Sequence, residues 1–274
     1  MTLEALFNNP NALPSAPKVV EQLISSFAQE DVSVEQITRT LSTDPVLSAK
    51  LLKLANSAYY HVARSIGTID DAVRMLGFVT VRTLVVSSGL VSGFKTVPGV
   101  DLKRFWRYSL HTAVAAKWLA KLARENTEVA FTIGMMHALG QLVMHAGETE
   151  RTLAVDQLAS QYEAKRLDAE MDEFGYDYSG VGAELALRWK FPDIFPDTIH
   201  DFPDPTRQSP LNRMAVIIYL AVWRAQAEEA GLTGQELAAS APDDVAASIG
   251  LAPGVLMSMP SLEDLTAGLE ELIH

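Results

Sequence analysis

A chain of 274 residues with 48% hydrophobic content can bury a real core, as one large domain or two modest ones. It has no cysteine, which excludes disulfides, thiolate zinc sites and cysteine nucleophiles. The formal charge of -12 comes entirely from residues 101–274, with fourteen basic against twenty-six acidic side chains, and no basic stripe with interleaved aromatics offers a surface to nucleic acid.

Along the chain, helix signals repeat and strand signals are scarce. The start, MTLEALFNNPNALPSAP, lacks the basic residues and apolar run of a secretion signal, which suggests a cytoplasmic protein. Ser33 with Gln36 and Thr68 with Asp71 have capping-box spacing, while Asp44–Pro45 and Ser209–Pro210 each place a cap before a first-turn proline. After Thr68, the residues Ile69, Ala72, Val73 and Leu76 fall on one helical face, and Gly77 follows where a C-cap belongs. The β-branched run 79–91 is read as helix, because nothing nearby supplies a pairing strand. Further helices are expected at 102–123, 127–145, 150–173, 180–190 and 210–229, with breakers at Gly147, Gly175, Pro192 and Gly231. From Gly231 on, the Pro/Gly-rich acidic stretch reads as a looser tail of short helices, the last capped by Ser261 with Asp264.

The expected class is all-α: a helical subdomain over 1–97, a joint at Pro98–Gly99, a second helical subdomain over 98–230 and an acidic helical tail over 231–274. Residues 129–147 carry no Asp, Glu, Lys or Arg, yet hold two His, a Gln and three Gly, so a buried core helix is expected rather than membrane insertion. No phosphate-binding P-loop, serine elbow or HExxH occurs, and GVGA at 180–183 follows no strand, so it is not a dinucleotide loop.

Six stretches carry a resemblance. LPSAPKVVEQL (13–23), DPVLSAKLLKLANSAYY (44–60) and IGTIDDAVRMLGFVTVRTLVV (66–86), followed by FWRYSLHTAVAAKWLA (105–120), AFTIGMMHALGQLVM (130–144) and VGAELALRWKFP (181–192), resemble the HDOD domains of bacterial signalling proteins, over roughly 13–225. The resemblance implies two packed helical bundles, the second related to the HD phosphohydrolases. The metal site of those enzymes uses a His, an adjacent His-Asp pair and a later Asp. Carried over, the first His falls at Tyr108, the pair at His137 and Ala138, and the last Asp at Val222; a lysine common in the enzymes falls at Gln141, and extra histidines fall at Tyr178, Phe202 and Pro203.

Only His137 keeps a ligating side chain. A catalytic divalent ion needs about three protein ligands, so one imidazole does not hold it. His145 on the same expected helix would lie roughly 12 Å away, too far to share an ion. The sequence therefore predicts no catalytic residue, no cofactor and no metal, with Tyr108, His137, Ala138 and Val222 as vestigial positions. The resemblance implies a non-catalytic regulatory module that binds other signalling proteins, through the N-terminal bundle and the groove between bundles. Asp44, Asn56 and Gly77 read as residues that cap and end helices. Two rivals stand beside this reading: a phosphohydrolase of nucleotides or cyclic dinucleotides using His111, His137 and His200, and a nucleotide sensor contacting phosphate through Arg82, Arg104 or Arg107.

Overall fold

The structure, a computed structural model, describes residues 2–9, 18–25, 34–42 and 44–273. Among these residues it is built from helices, with no strand. The N-terminal part comprises α1 (Leu3–Phe7), α2 (Lys18–Ser25), α3 (Val34–Ser42), α4 (Pro45–Ala55), α5 (Ile69–Leu76) and α6 (Phe78–Gly93). Asp44 caps α4 through the amides of Val46 and Leu47, both at 3.0 Å, and Thr68 caps α5 through Asp71 N at 3.0 Å. Gly77 has φ +84°, the positive value its place after α5 calls for. Ser33 lies outside the described residues. The β-branched run is indeed helical: α6 is buried on every side from Val81 to Leu90, with α2, α4, α5 and the second half of the chain surrounding it. Gly89 lets α2 come close, because a Cβ there would stand 2.1 Å from Val20 Cγ2.

The loop after α4 is held by one side chain. Asn56 donates to the carbonyls of Leu52 and Ile66 at 2.7 and 2.8 Å and accepts from the Ile66 amide at 2.7 Å. Its role is wider than ending a helix, since it closes the loop that carries Tyr59 and Tyr60.

The second part comprises α7 (Leu102–Ala123), α8 (Thr127–Met136), α9 (Leu139–Gly147), α10 (Thr149–Asp156), α11 (Arg166–Phe174), α12 (Tyr178–Arg188), α13 (Ile194–Asp201) and α14 (Arg213–Glu229). Three sequence expectations are corrected here. The helix expected over 127–145 breaks at His137–Ala138, and the one expected over 150–173 breaks between Asp156 and Arg166. Ser209–Pro210 starts no helix: that peptide is cis, and Asn212 caps α14 through Ala215 N at 3.1 Å. The apolar stretch 127–147 is long enough to cross a bilayer but is buried among α6, α7 and α12.

Two glycines set the central crossings. A Cβ on Gly134 would meet Ala113 Cα at 2.5 Å, fixing α8 on α7; one on Gly140 would meet the Tyr178 carbonyl oxygen at 1.9 Å, fixing α9 on α12. GVGA takes part in the second crossing, with Gly182 facing Gly140.

The last segment comprises α15 (Gly234–Ala239), α16 (Asp243–Ala247) and α17 (Leu262–Thr266), with short 3-10 turns. It is not loose. Leu256, Leu262, Leu269 and Leu272 are buried in the same core as Leu6 and Leu54, each contributing about 1.5–3 kcal/mol by burial. This segment packs on α7 and reaches α4 and α6, where Lys53 pairs with Glu271 at 2.6 Å.

Candidate functional site

The break between α8 and α9 presents His137. Its ring is fully buried, and its Nδ1 lies 2.7 Å from the Gly134 carbonyl. A carbonyl only accepts, so Nδ1 carries the hydrogen and Nε2 presents a lone pair. That atom is buried with no hydrogen-bond partner among the described residues. Burial drives the imidazole's pKa down to about 4, against the helping bond to Gly134, so at neutral pH the ring is uncharged.

Aromatic rings surround this imidazole. Tyr108 from α7 lies 5.2 Å from it and Phe202, just after α13, at 6.0 Å in an edge-on arrangement. Tyr178, the first residue of α12, packs on Phe202 at 6.2 Å. On the other side Tyr108 meets Tyr162 at 5.0 Å, and Arg104 covers the Tyr162 ring at 4.4 Å. A row of rings thus runs from a surface guanidinium to the start of α12 and the end of α13. Burial raises the Tyr108 and Tyr178 hydroxyls above the ordinary tyrosine range, and Tyr108 shares a hydrogen bond with Gln226.

The expected positions therefore fall into two groups. Tyr108, His137, Tyr178 and Phe202 come together; Tyr178, Phe202, Pro203 and Val222 also line a groove of about 740 Å³ between α11, α12, α13 and α14. Ala138 is buried and supplies no donor side chain. Gln141 points elsewhere, to the Gln161 carbonyl at 3.0 Å. The other histidines stand in separate surroundings. His145 faces the Pro98 carbonyl at 3.0 Å and Asp156 at 3.5 Å, His200 pairs with Asp201, and His111 lies beside α14 with its pKa lowered chiefly by burial.

The three arginines are engaged. Arg104 and Arg107 both bind Glu229, at 2.8 and 2.9 Å, and that carboxylate is only 6% exposed. Arg82 is buried, with its guanidinium 5.5 Å from the Phe78 ring.

A second polar cluster lies beside the rings. Fully buried Arg166 donates to Glu170 at 2.6 Å, to the Ala159 carbonyl at 3.0 Å and to Asp156. Glu170 in turn accepts the Tyr178 amide at 2.7 Å, anchoring the start of α12. Burial pushes the Glu170 carboxyl up to about 7 against the pull of Arg166. Burial also works to raise Asp156, but bonds from His145 and Arg166 outweigh it and hold that carboxyl low. The i,i+4 spacing of Arg166 and Glu170 is visible in the sequence, but their burial is not. Tyr162, Gln226 and Glu229 carried no sequence signal.

Comparison with known proteins settles the kinship. The family model described as HDOD domain matches residues 13–205. The chain belongs to the HDOD family. A crystal structure from Shewanella amazonensis SB2B, of a protein provisionally named a phosphohydrolase, is similar at 32% identity and TM-score 0.80, covering 98% of this chain and 96% of that one. A Geobacter sulfurreducens HDOD domain protein of unknown function shares the fold at TM-score 0.71 and 21% identity, with 96% of each chain covered. An uncharacterized Treponema pallidum (strain Nichols) protein is 26% identical over 207 residues; the match takes in 73% of this chain and 40% of that protein's length.

An HD-type metal does not fit this HDOD chain. Of the four ligand positions only His137 offers an imidazole or carboxylate donor, and its Nε2 is buried without a hydrogen-bond partner among the described residues. Among the described residues no group of three His, Asp or Glu is placed to hold an ion.

Proposed function

We propose that this chain is a non-catalytic HDOD module that acts in the cytoplasm by binding other proteins in bacterial signal transduction. The observation that carries the reading is the ring packing around His137: Tyr108 stands where the first ligand belongs and Phe202 covers the imidazole. A Lewis-acidic ion needs about three ligand atoms at roughly 2 Å and an open position for water, and aromatic carbon supplies none of these. What such a packed second half retains is a surface of fixed shape.

The rival reading, a metal-dependent phosphohydrolase of nucleotides or cyclic dinucleotides, is favoured by the provisional name of the Shewanella relative. It requires carboxylates at His137, whereas the buried carboxylate Glu170 is held by Arg166. A sensor using Arg104 or Arg107 for phosphate would have to displace Glu229.

Metal content per chain, measured by mass spectrometry after dialysis against manganese or ferrous ion, separates these readings. The proposal expects a value near zero and no change for His137→Ala. Tightly held ion that His137→Ala removes, together with a hydrolytic rate, would overturn it.

A further inference from the structure

The groove between α11, α12, α13 and α14 shares Tyr178 and Phe202 with the ring packing and is left open. Its walls are apolar and adaptable: Leu167 and Met171 from α11, Tyr176, and Tyr219, Val222 and Trp223 from α14. Met171 is 48% exposed and offers the groove a flexible, unbranched apolar side chain. The edges are acidic. Asp168, Asp177, Asp201 and Asp204 line the groove, against one arginine, Arg207, and His200. Asp177 is spent on capping α12 and Asp201 binds Asn212 and His200. Asp168 and Asp204 are exposed and have no ion-pair partner among the described residues. The acidity continues along α13, where Asp193, Asp197 and Asp201 recur at i, i+4 and i+8. Like charges at that spacing destabilise a helix. Their mutual repulsion registers at Asp197, whose carboxyl is raised by burial and by its two neighbours.

We propose that this groove is the docking surface required by the interaction function above, and that its occupant is an amphipathic helix of a partner protein bearing Lys or Arg along its polar face. Charge complementarity selects the occupant: the groove's edge carries a surplus of carboxylates, and a cationic helix would relieve the repulsion along α13. The apolar wall supplies the other half of the recognition, receiving side chains at i, i+3, i+4 and i+7. The inference rests on the non-catalytic reading but fails separately, because peptide binding and metal content are independent measurements.

The test is a calorimetric titration of the full chain with a synthetic Leu/Lys amphipathic helical peptide, its Leu/Glu counterpart and spermidine. The double variant Asp168→Lys/Asp204→Lys should weaken binding of the Lys peptide by about tenfold or more. Asp243→Lys/Asp244→Lys, which changes net charge equally on α16, should change it less than about twofold. Met171→Asp adds a carboxylate yet should also weaken binding, since it removes an apolar contact. Equal losses in the two double variants, tighter binding by Met171→Asp, or spermidine matching the peptide would each overturn the proposal. In the unmodified chain the peptide should slow amide exchange in α11, α13 and α14; protection confined elsewhere would overturn it without any variant having to fold.

Discussion

Arg166 lies fully buried between α10 and α12, bound to Glu170, Asp156 and a backbone carbonyl. Around His137, by contrast, the neighbours are rings and one carbonyl, and the imidazole is held neutral. Both regions touch Tyr178, the first through its amide and the second through its ring, which packs tilted against Phe202. One keeps a buried guanidinium bonded to two carboxyl groups and a carbonyl, with its Nη2 alone unpartnered among the described residues, while the other holds no charge and fills its space with aromatic surface. The lesson is that buried charge survives in this half of the chain where it fixes backbone, as Glu170 does at the start of α12, and is missing where ion binding would have been its use.

Breaking the charged region should have the largest effect. Arg166→Ala leaves Glu170 and Asp156 without their guanidinium and should lower stability by about 3–5 kcal/mol in urea denaturation. An effect below about 1 kcal/mol would mean that the network is no better than a surface pair.

Gly140→Ala strikes the helix crossing that positions both regions, because its Cβ would stand 1.9 Å from the Tyr178 carbonyl oxygen. Backbone must move, so a loss of about 3 kcal/mol is expected, read as a fall in melting temperature.

The comparison sharpens with pH, since the two regions titrate in opposite senses. His137 has a folded pKa of about 4, below its ordinary 6.5, so an unfolded chain takes up the proton first. The stability it gives is present above pH 6.5 and lost as pH falls toward 4, by up to about 3 kcal/mol. Glu170 has a folded pKa of about 7, above its ordinary 4.5, so its contribution is present at low pH and lost as pH rises from 4.5 toward 7. Urea midpoints taken from pH 4.5 to 6.5 should therefore rise with pH more steeply in Glu170→Gln than in the parent chain. In His137→Phe they should rise less steeply. Parallel slopes in all three would dismiss the contrast.

The smallest expected change is at the surface end of the ring row. Arg107→Ala removes a half-exposed arm of the Glu229 pair and should alter stability by less than about 1 kcal/mol, because Arg104 remains.

Most helices were legible because their signals are local. Thr68 and Gly77 bracket α5, Asp44 opens α4, and the long helix Leu102–Ala123 matches its expected limits. What escaped depends on distant partners. The break before Arg166 has no proline or glycine; its carbonyls are satisfied by Arg166 at Ala159 and by Gln141 at Gln161. At His137 the imidazole itself takes the Gly134 carbonyl, the acceptor an unbroken helix would give to residue 138. At the candidate site, the family resemblance located Tyr108, His137, Tyr178, Phe202 and Val222. It gave no hint of Tyr162, Glu229 or the carboxylates along the groove, whose meaning arises only when α11, α13 and α14 stand side by side.

The buried leucines after residue 255 carry a consequence for how the protein is made. Glu271 pairs with Lys53, and a Cβ on Gly268 would meet the Tyr59 amide at 2.8 Å, so α4 and the loop behind it are closed by residues translated long afterwards. On the ribosome, α4 and its loop must wait with this apolar face uncovered until residues 256–272 have emerged. Such long-range closure slows folding, and the nascent chain's exposure to chaperones is set by the time taken to synthesise everything in between.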